Sequence, residues 1–152
     1  EAVSDYFAIG VVNSKRDTNI GTLLRSAHNF GAAFVFTVGR RYDRQSSDTT
    51  KAWRSVPLFN FDTVADLRRH VPYDAKLVGV ELDARAVPLN VFTHPRRAVY
   101  LLGAEDHGLS EAQRAECHEL VVVPGASHCL NVASAGTVVL YDRVSRRMAV
   151  AA

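Results

Sequence analysis

Short apolar runs that are rich in β-branched residues recur along the chain and predict five buried strands. The clearest run is FAIGVV at residues 7–12, which is apolar throughout and has polar residues on both sides. Runs of the same kind follow in chain order at residues 33–38, 76–82, 97–103 and 120–123. Strands that are apolar along most of their length are typical of a parallel sheet with helices on both faces. The predicted fold class is therefore α/β.

Between these strands, apolar residues recur at helical spacing. The clearest set follows the first strand and consists of Ile20, Leu23, Leu24, Ala27 and Phe30. Thr18 and Asn19 offer side-chain oxygens that suit the start of this helix, and Gly31 suits its end. Three further helices are predicted. Two follow a polar capping residue, from Asp62 to about residue 70 and from Ser110 over residues 111–116, and the third begins near Asn131 and covers residues 132–143. No strand is predicted over residues 39–61, where Pro57 interrupts the apolar run, or over residues 83–95.

The composition of the 152 residues, 47% hydrophobic and 22% charged, is typical of one globular domain. The apolar runs are too short to cross a bilayer, and no signal-peptide pattern is present, so we expect a cytoplasmic protein without a membrane partner. Cys117 and Cys129 are too few for a disulfide framework or a metal cluster, and no metal site is predicted. Cys117 is expected to be a partly buried small hydrophobe.

The net charge is only +2, but basic residues are concentrated in one part of the chain. Between Asn13 and Arg54 there are eight of them: Lys15, Arg16, Arg25, Arg40, Arg41, Arg44, Lys51 and Arg54. The same segment holds three acidic residues, Asp17, Asp43 and Asp48. This excess predicts a polyanionic partner, and the alternative is an ordinary solvated surface.

Three loops follow predicted strands and are expected to meet at the carboxyl edge of the sheet, where ligands bind in parallel α/β proteins. The first, from residue 13 to 25, lacks both the G-x-G-x-x-G pattern and the Gly-Lys-Ser/Thr of a phosphate-binding loop. It does contain Asn19 and Arg25. The Arg25 guanidinium needs a phosphate or a carboxylate as its partner, either in a ligand or in a structural salt bridge.

The second loop, GAEDHGL at residues 103–109, places Glu105 between two glycines. Its carboxylate is suited to a ligand or to Arg25, and a capping or solvent-exposed role is the alternative. The third loop contains His128, Cys129 and Asn131. A nucleophile–base pair of Cys129 and His128 is disfavoured, because no third group is evident to orient it.

The residues of these three loops resemble the motifs of the SPOUT-superfamily RNA methyltransferases, specifically their TrmH (SpoU) branch. The first motif is similar to Asn19-Ile20-Gly21 through Arg25 and on to Phe30-Gly31-Ala32. The second is similar to residues 101–105 with Gly108-Leu109. The third is similar to Val123-Pro124, residues 130–133 and Leu140-Tyr141. The three occur in the family's order over nearly the whole chain, and together they are specific.

The resemblance implies a sheet whose C-terminal part forms a deep trefoil knot, the SPOUT α/β-knot, with S-adenosyl-L-methionine bound by the knotted loops. It implies a homodimer with the C-terminal helix, residues 132–147, in the interface. The implied reaction is methyl transfer to a ribose 2′-hydroxyl of structured RNA, with tRNA favoured over rRNA. Residues 1–152 are expected to be a single methyltransferase domain with no appended RNA-binding domain.

Site residues follow from the same resemblance. The catalytic residues would be Asn19, Arg25, Glu105 and Asn131. Arg25 would contact the phosphate of the target nucleotide, Glu105 would lie near Arg25 or the cofactor, and Asn131 would orient groups around the methyl donor. The cofactor-binding residues would be Leu102, Gly103, Ala104, Glu105, Gly108, Val123, Pro124, Cys129 and Leu130. The RNA-binding residues would be Lys15, Arg16, Arg25, Arg40, Arg41, Arg44, Lys51 and Arg54.

Cys129 departs from the family pattern, which usually has serine immediately before Leu-Asn. A thiol is a weaker hydrogen-bonding group than a hydroxyl, so a contact that depends on serine is in doubt. Two alternatives stay open at this point. One is an RNA-binding module with this fold and weak or no catalysis, and the other is a generic nucleotide-binding α/β protein.

Overall fold

The described residues form one seven-stranded parallel sheet in the computed structural model, which covers residues 5–42, 51–72, 74–125 and 130–152. The strands are β1 (Tyr6–Val12), β2 (Phe34–Val38), β3 (Leu58–Phe61), β4 (Lys76–Val80), β5 (Val87–Pro88), β6 (Arg97–Leu102) and β7 (Glu119–Val122). Their order across the sheet is β3-β2-β1-β6-β4-β7-β5, and every neighbouring pair is parallel. The helices are α1 (Asp17–Phe30), α2 (Val64–His70), α3 (Glu111–Glu116) and α4 (Val132–Ala151).

Hydrophobic clusters cover both faces of the sheet, as alternation along buried strands requires. On one face, Ile9 of β1 and Tyr100 of β6 pack with Leu23 of α1 and Val139 of α4. On the other face, β-strand residues such as Phe36 pack with apolar residues of α2 and with Leu109. The predicted α/β class, a parallel sheet with helices on both faces, is therefore confirmed.

All five predicted strands are present within two residues of their predicted ends, and two strands lack a sequence signal. β3 begins just after Pro57, whose carbonyl accepts a hydrogen bond from the Val35 N–H at 2.9 Å. Proline is tolerated at the start of an edge strand, so this residue does not break the strand but precedes it. β5 has only two residues, Val87 and Pro88, which is too short for any periodic pattern.

Two predicted helix caps are wrong. α1 starts after Arg16, which forms no side-chain cap bond, and Asn19 turns its side chain away from the helix start. At α2 the capping residue is Thr63, not Asp62, because the Thr63 hydroxyl accepts from the Asp66 N–H at 3.0 Å. The cap at Ser110 and the stop at Gly31 are confirmed, and the last helix begins directly after Asn131, which caps it.

The two long helices, α1 and α4, lie side by side on one face. The hydroxyls of Ser26 and Thr137 are 2.7 Å apart across their contact. A side chain at Gly136 would collide with Leu23, so glycine here permits the close approach of the helices. α4 thus holds its first residue, and Asn131 before it, beside the start of α1.

The second half of α4 is fixed by Arg143, a buried arginine with 1% of its surface exposed. Its guanidinium donates at 2.7–3.5 Å to the Tyr100 hydroxyl and to the backbone oxygens of Tyr6, Pro95 and Arg96. These acceptors lie where β1 and β6 begin, at the amino edge of the sheet. The Tyr100 oxygen also contacts His94 Nδ1 at 2.6 Å, and His94 Nε2 contacts Asp142 at 2.8 Å.

Burial lowers the pKa of His94, although the hydrogen bond to Asp142 opposes this. Burial also raises the pKa of Tyr100 to about 12. A neutral His94 accepts from the Tyr100 hydroxyl at Nδ1 and donates to Asp142 from Nε2, which satisfies every group in the chain. Within the wider network, the buried Nε of Arg143 has no hydrogen-bond partner among the described residues.

Cys117 is partly buried, as predicted, and burial raises the pKa of its thiol to about 11. In the described part of the chain, no helix is both long and apolar enough to cross a membrane. Nor do the described residues contain a group of three or more His, Cys, Asp or Glu side chains suited to a metal ion.

Candidate functional site

A cavity of about 990 Å³ opens at the carboxyl ends of β4, β6 and β7. Its wall is made of the segments that follow these strands and of the start of α4. Most of the wall is apolar or backbone, and the carboxylates of Glu81, Glu105 and Asp106 are its acidic groups. The described residues therefore place one large ligand-sized space where the sequence predicts one.

Three polar side chains, from α1, from the loop after β6 and from the start of α4, form a continuous hydrogen-bonded chain beside this cavity. The Asn19 amide donates to Glu105 Oε1 at 2.7 Å. The Asn131 amide donates to Asn19 Oδ1 at 3.0 Å. Three of the four predicted catalytic residues are thus in direct contact, although 86 and 112 residues of sequence separate the pairs.

Ser14 completes this cluster, and sequence reasoning missed it. Its hydroxyl donates to Glu105 Oε1 at 2.8 Å, and the backbone N–H of Lys15 donates to Glu105 Oε2 at 3.0 Å. Ser14 is 6% exposed, although it lies in a loop. Its position two residues after a buried strand was the available signal, because the end of such a strand faces the ligand edge.

The Glu105 carboxylate is held in its ionised form. Burial opposes ionisation, but hydrogen bonds from the backbone N–H groups of Lys15 and Glu105 and from Asn19 and Ser14 outweigh it and lower the pKa to about 2. A carboxylate with several donors is fixed in position and remains charged at neutral pH. Asn19 must therefore present its N–H₂ group to Glu105, which leaves its oxygen for Asn131.

Asn131 combines two tasks at the start of α4. Its side-chain oxygen accepts from the N–H groups of Ala133 and Ser134 at 3.0 and 3.2 Å, which caps the helix. Its amide nitrogen donates to Asn19. The orientation of the Asn131 amide is therefore fixed on both sides. His128 and Cys129, which precede it, lie outside the described residues.

The loop after β6 is tightly folded around glycines. Gly108 has a φ of +61° and its N–H bonds to the Ala104 carbonyl at 2.9 Å. A side chain at Gly103 would overlap the backbone of Gly108, so the loop requires glycine at that position. Glu81 holds the loop from outside, accepting from the Leu109 N–H at 2.5 Å. Sequence reasoning missed Glu81, which lies within the predicted strand 76–82 and directly follows β4 in the structure.

The predicted cofactor residues lie together. Eight of the nine line the cavity, namely Leu102, Gly103, Ala104, Glu105, Gly108, Val123, Pro124 and Leu130. The ninth, Cys129, lies outside the described residues. Wall residues that were not predicted come from the end of β4, chiefly Val80, Glu81 and Leu82.

Arg25 does not pair with Glu105, whose carboxylate was predicted to suit either Arg25 or a ligand. Its side chain is exposed on α1, and it forms no hydrogen bond or ion pair with any described residue. The alternative of a structural salt bridge is therefore wrong for the described residues. An exposed guanidinium in this position is available to an anionic ligand.

The predicted RNA-binding residues divide into two groups. Lys15 pairs with Asp106 of the second loop, and Arg40 donates to the Ser14 carbonyl at 2.9 Å and lies 3.6 Å from Asp17, so both are engaged within the protein. The second group is exposed and forms no ion pair with the described residues, and it consists of Arg16, Arg25, Arg41, Lys51 and Arg54. Arg44 lies outside the described residues.

The fold and this site define a parallel α/β protein that binds a ligand at the carboxyl edge of its sheet. The model of the SpoU rRNA Methylase family matches residues 6–141. The chain belongs to this family.

Two curated relatives are enzymes of rRNA. The chain is 30% identical over 141 residues to the 23S rRNA (guanosine-2′-O-)-methyltransferase RlmB of Acinetobacter baylyi, which covers 86% of this chain and 56% of the relative. It is 31% identical over 143 residues to the 23S rRNA (uridine(2479)-2′-O)-methyltransferase of Streptomyces viridochromogenes, covering 86% of this chain and 49% of the relative. The chain thus spans about half the length of the curated relatives it matches.

Solved structures agree with this placement. The SpoU methyltransferase AviRb of Streptomyces viridochromogenes, in complex with the cofactor AdoMet, superposes with a TM-score of 0.83 at 26% identity, over 97% of this chain and 60% of that chain. The A. aeolicus TrmH/SpoU tRNA modifying enzyme superposes with a TM-score of 0.86 over 97% of this chain and 78% of that chain. At 18% identity this second likeness shows the fold alone.

Proposed function

We propose that this protein transfers the methyl group of S-adenosyl-L-methionine to a ribose 2′-hydroxyl of structured RNA. The observation that carries the proposal is the hydrogen-bonded chain of Glu105, Asn19 and Asn131 beside the large cavity. The curated relatives, both 2′-O-methyltransferases, and the AdoMet complex of AviRb support it.

The cavity fits such a cofactor in its chemistry. Peptide groups near Leu102, Gly103, Val123 and Leu130 suit the adenine and ribose, which are apolar on their faces and polar at their edges. The carboxylates on the wall suit the positive charges of the sulfonium and amino groups. When bound, S-adenosylmethionine supplies an activated methyl group on a sulfonium. We place Cys129 in the same wall as a replacement for serine.

The reaction needs help at the ribose hydroxyl, which is a poor nucleophile at neutral pH. Arg25 binds the phosphate of the target nucleotide and stabilises negative charge that develops on the 2′-oxygen. A guanidinium stays protonated, so Arg25 is not the base, and the proton passes to the phosphate or to solvent. Asn19 and Asn131, held by Glu105, keep the first and third loops in register around the reacting groups.

The exposed basic residues Arg16, Arg25, Arg41, Lys51 and Arg54 form the RNA-binding surface in this proposal. Phosphate contacts release counterions, so RNA affinity is expected to fall steeply as salt concentration rises. Affinity that does not respond to ionic strength in a salt titration would contradict this assignment.

The same proposal includes a homodimer and a trefoil knot around the cavity. α4 presents large apolar side chains to solvent, among them Tyr141 and Met148, which are 62% and 69% exposed. Tyr141 also stacks edge-on with Phe30 of α1, with ring centroids 6.4 Å apart. Such a face suits an isologous interface, and sedimentation analysis measures the assembly directly. A cytoplasmic location remains part of the proposal.

The assay is methyl transfer from radiolabelled S-adenosylmethionine to total RNA, followed by mapping of the modified nucleotide. The proposal expects label at one or few 2′-hydroxyls, and the map decides between rRNA, on which the named curated relatives act, and the predicted tRNA. RNA binding without label would favour a non-catalytic RNA-binding module. Calorimetry that detects dinucleotide binding but no S-adenosylmethionine binding would favour a generic nucleotide-binding protein.

A further inference from the structure

A second cavity, of about 270 Å³, lies at the β3 end of the strand order, away from β4, β6 and β7, where the first cavity opens. The two cavities share no lining residue. It is bounded by the ends of β2 and β3, by Arg41 and Tyr42 after β2, and by Trp53. β3 is the outermost strand on this side, so the cavity opens at a sheet edge. None of the roles derived above uses it.

Aromatic rings make up much of its wall. Trp53 and Tyr42 are partly buried and pack against the hydrophobic core, which holds them in place. Phe59 also borders the cavity, but its ring packs against Phe34 on the opposite face of the sheet, so Trp53 and Tyr42 are the rings on the cavity's side. Anchored rings that open to solvent are platforms on which unpaired nucleobases stack.

Two polar side chains that line the cavity contact each other. The Asn60 amide donates to the Thr37 hydroxyl at 2.6 Å, and Thr37 is 2% exposed. Among the described residues, the Asn60 side-chain oxygen accepts no hydrogen bond and the Thr37 hydroxyl has no acceptor for its proton. A neighbouring acceptor and donor of this kind match the edge of a nucleobase, which presents donors and acceptors side by side.

Positive charge lies at the rim. The guanidinium of Arg41 is exposed and forms no ion pair with the described residues. Arg54 lies over the Trp53 ring, with its guanidinium carbon 5.2 Å from the ring centroid. Cations beside aromatic rings suit a base together with its phosphates, and the charge favours a nucleic acid chain over a neutral metabolite.

The cavity adjoins the first loop of the candidate active site. A Cβ built on Gly21, two residues after Asn19, would lie 3.8 Å from the Tyr42 hydroxyl. Arg40, the residue before Arg41, donates to the Ser14 carbonyl. A base bound beside Tyr42 therefore belongs to a nucleotide close to the loop that holds Ser14 and Asn19.

We propose that this cavity, lined by Trp53, Tyr42, Asn60 and Thr37, binds one unpaired nucleobase of the RNA substrate. The site selects RNA in which a nucleotide near the methylated one is free of base pairing. The proposal rests on the proposed function, since it takes RNA to be the substrate.

Trp53 is the only tryptophan in the sequence, so fluorescence excited selectively at tryptophan reports on a side chain of this cavity. We expect single-stranded RNA oligonucleotides to quench it saturably. Asn60→Leu, which keeps the side-chain size but removes both polar atoms, should weaken this binding about tenfold, the loss expected for one base-edge contact. The matched control is Asn90→Leu, an exposed asparagine that lines neither cavity, and it should bind as the unaltered protein does.

Circular dichroism of both variants checks that they are folded. Unchanged quenching in folded Asn60→Leu would overturn the proposal, as would a nucleoside monophosphate that binds as tightly as the oligonucleotide. In the methyl-transfer assay, Asn60→Leu should raise KM for RNA about tenfold and leave kcat unchanged. Because fluorescence needs no turnover, quenching without methyl transfer would refute only the proposed function, and methyl transfer without quenching would refute only this cavity's role.

Discussion

Two polar networks lie at opposite ends of the same strands, and they differ in how completely they are closed. At the amino edge, Arg143 is buried and directs its donors at a hydroxyl and three backbone carbonyls. At the carboxyl edge, Glu105 lies beside a cavity and is held by Asn19, Ser14 and a backbone N–H. The carboxyl-edge network reaches the start of α4, and the amino-edge network reaches the second half of the same helix.

The two networks differ in the feature that separates a structural polar group from a functional one in this fold, namely open space beside it. The amino-edge network is centred on the buried Arg143, and its residues line neither of the two cavities described above. The carboxyl-edge network fixes a charge and two amides next to open space, and the exposed Arg25 lies in the helix that it anchors. Burial of a charge alone would have selected Arg143, so the adjacent cavity is the more informative feature.

The largest expected effect is a loss of methyl-transfer activity, which should distinguish Arg25 from Arg143. Arg25→Ala should lower kcat/KM for methyl transfer about 100-fold, the usual loss when a group that stabilises developing charge is removed. It should change the free energy of unfolding by less than about 0.5 kcal/mol, because the side chain is exposed. Methyl-transfer kinetics and urea denaturation measure the two quantities.

Arg69→Ala is the matched control, since Arg69 is an exposed arginine on α2 that pairs only with Asp66 in the contacts described. It should leave methyl transfer unchanged. Arg25→Ala with full activity would remove Arg25 from the reaction and weaken the contrast with Arg143.

The second effect is on stability. Arg143→Met should lower the free energy of unfolding by about 3 kcal/mol, because it strands several buried acceptors at once. The cofactor affinity of the folded fraction should not change. Arg147→Met, one turn along α4 and ion-paired with Asp5, should cost less than about 1 kcal/mol. Equal losses in the two variants, measured by urea denaturation, would contradict the structural role of Arg143.

A third variant tests whether the chain of amides matters beyond helix capping. Asn131→Asp keeps an oxygen for the Ala133 and Ser134 N–H groups but loses the donor to Asn19. We expect α4 to stay stable and kcat to fall about tenfold, as for the loss of one positioning contact. Asn131→Ala should in addition cost about 1 kcal/mol of stability through loss of the cap. Full activity in Asn131→Asp would show that the Asn19 contact has no part in the reaction.

The smallest effect concerns pH. The pKa of Glu105 is lowered from 4.5 to about 2. A carboxyl group with a lowered pKa stabilises the fold while it is ionised, so this stabilisation is complete above pH 4.5 and is lost as the pH falls toward 2. Glu105→Gln should therefore be less stable than the unaltered protein at pH 7, and the gap should narrow below pH 4.5. A gap of the same size at pH 3, measured by urea denaturation, would contradict this.

Much of the fold follows from local sequence. Long apolar runs such as FAIGVV predict the buried strands, and Gly31 and Ser110 mark helix boundaries because their chemistry acts within a few residues. β5 and β3 escape prediction because their formation depends on neighbouring strands, not on their own patterns. Asn19 was predicted to cap the start of α1, but its side chain bonds to Glu105. Asparagine suits both roles, and only the position of the distant Glu105 decides between them.

The site divides in the same way. The three loops are predicted from strand ends and from the family resemblance, because the ligand edge of a parallel sheet is a property of its topology. Ser14 and Glu81 were missed because each makes its decisive contact with a loop far along the chain. The separation of the basic residues into engaged and exposed groups likewise requires the positions of Asp106 and Asp17, which charge counting does not give.

The contact between Asn131 and Asn19 spans 112 residues, which has a consequence for folding. Closing so long a loop costs conformational entropy before the hydrogen bond is gained, so contacts of this kind form late. β1, α1 and β2 are able to assemble earlier, but Asn19 acquires its last partner only when α4 docks. Refolding can be monitored both by the formation of strands and by the recovery of S-adenosylmethionine binding. We therefore expect two phases, with the recovery of binding as the slower one.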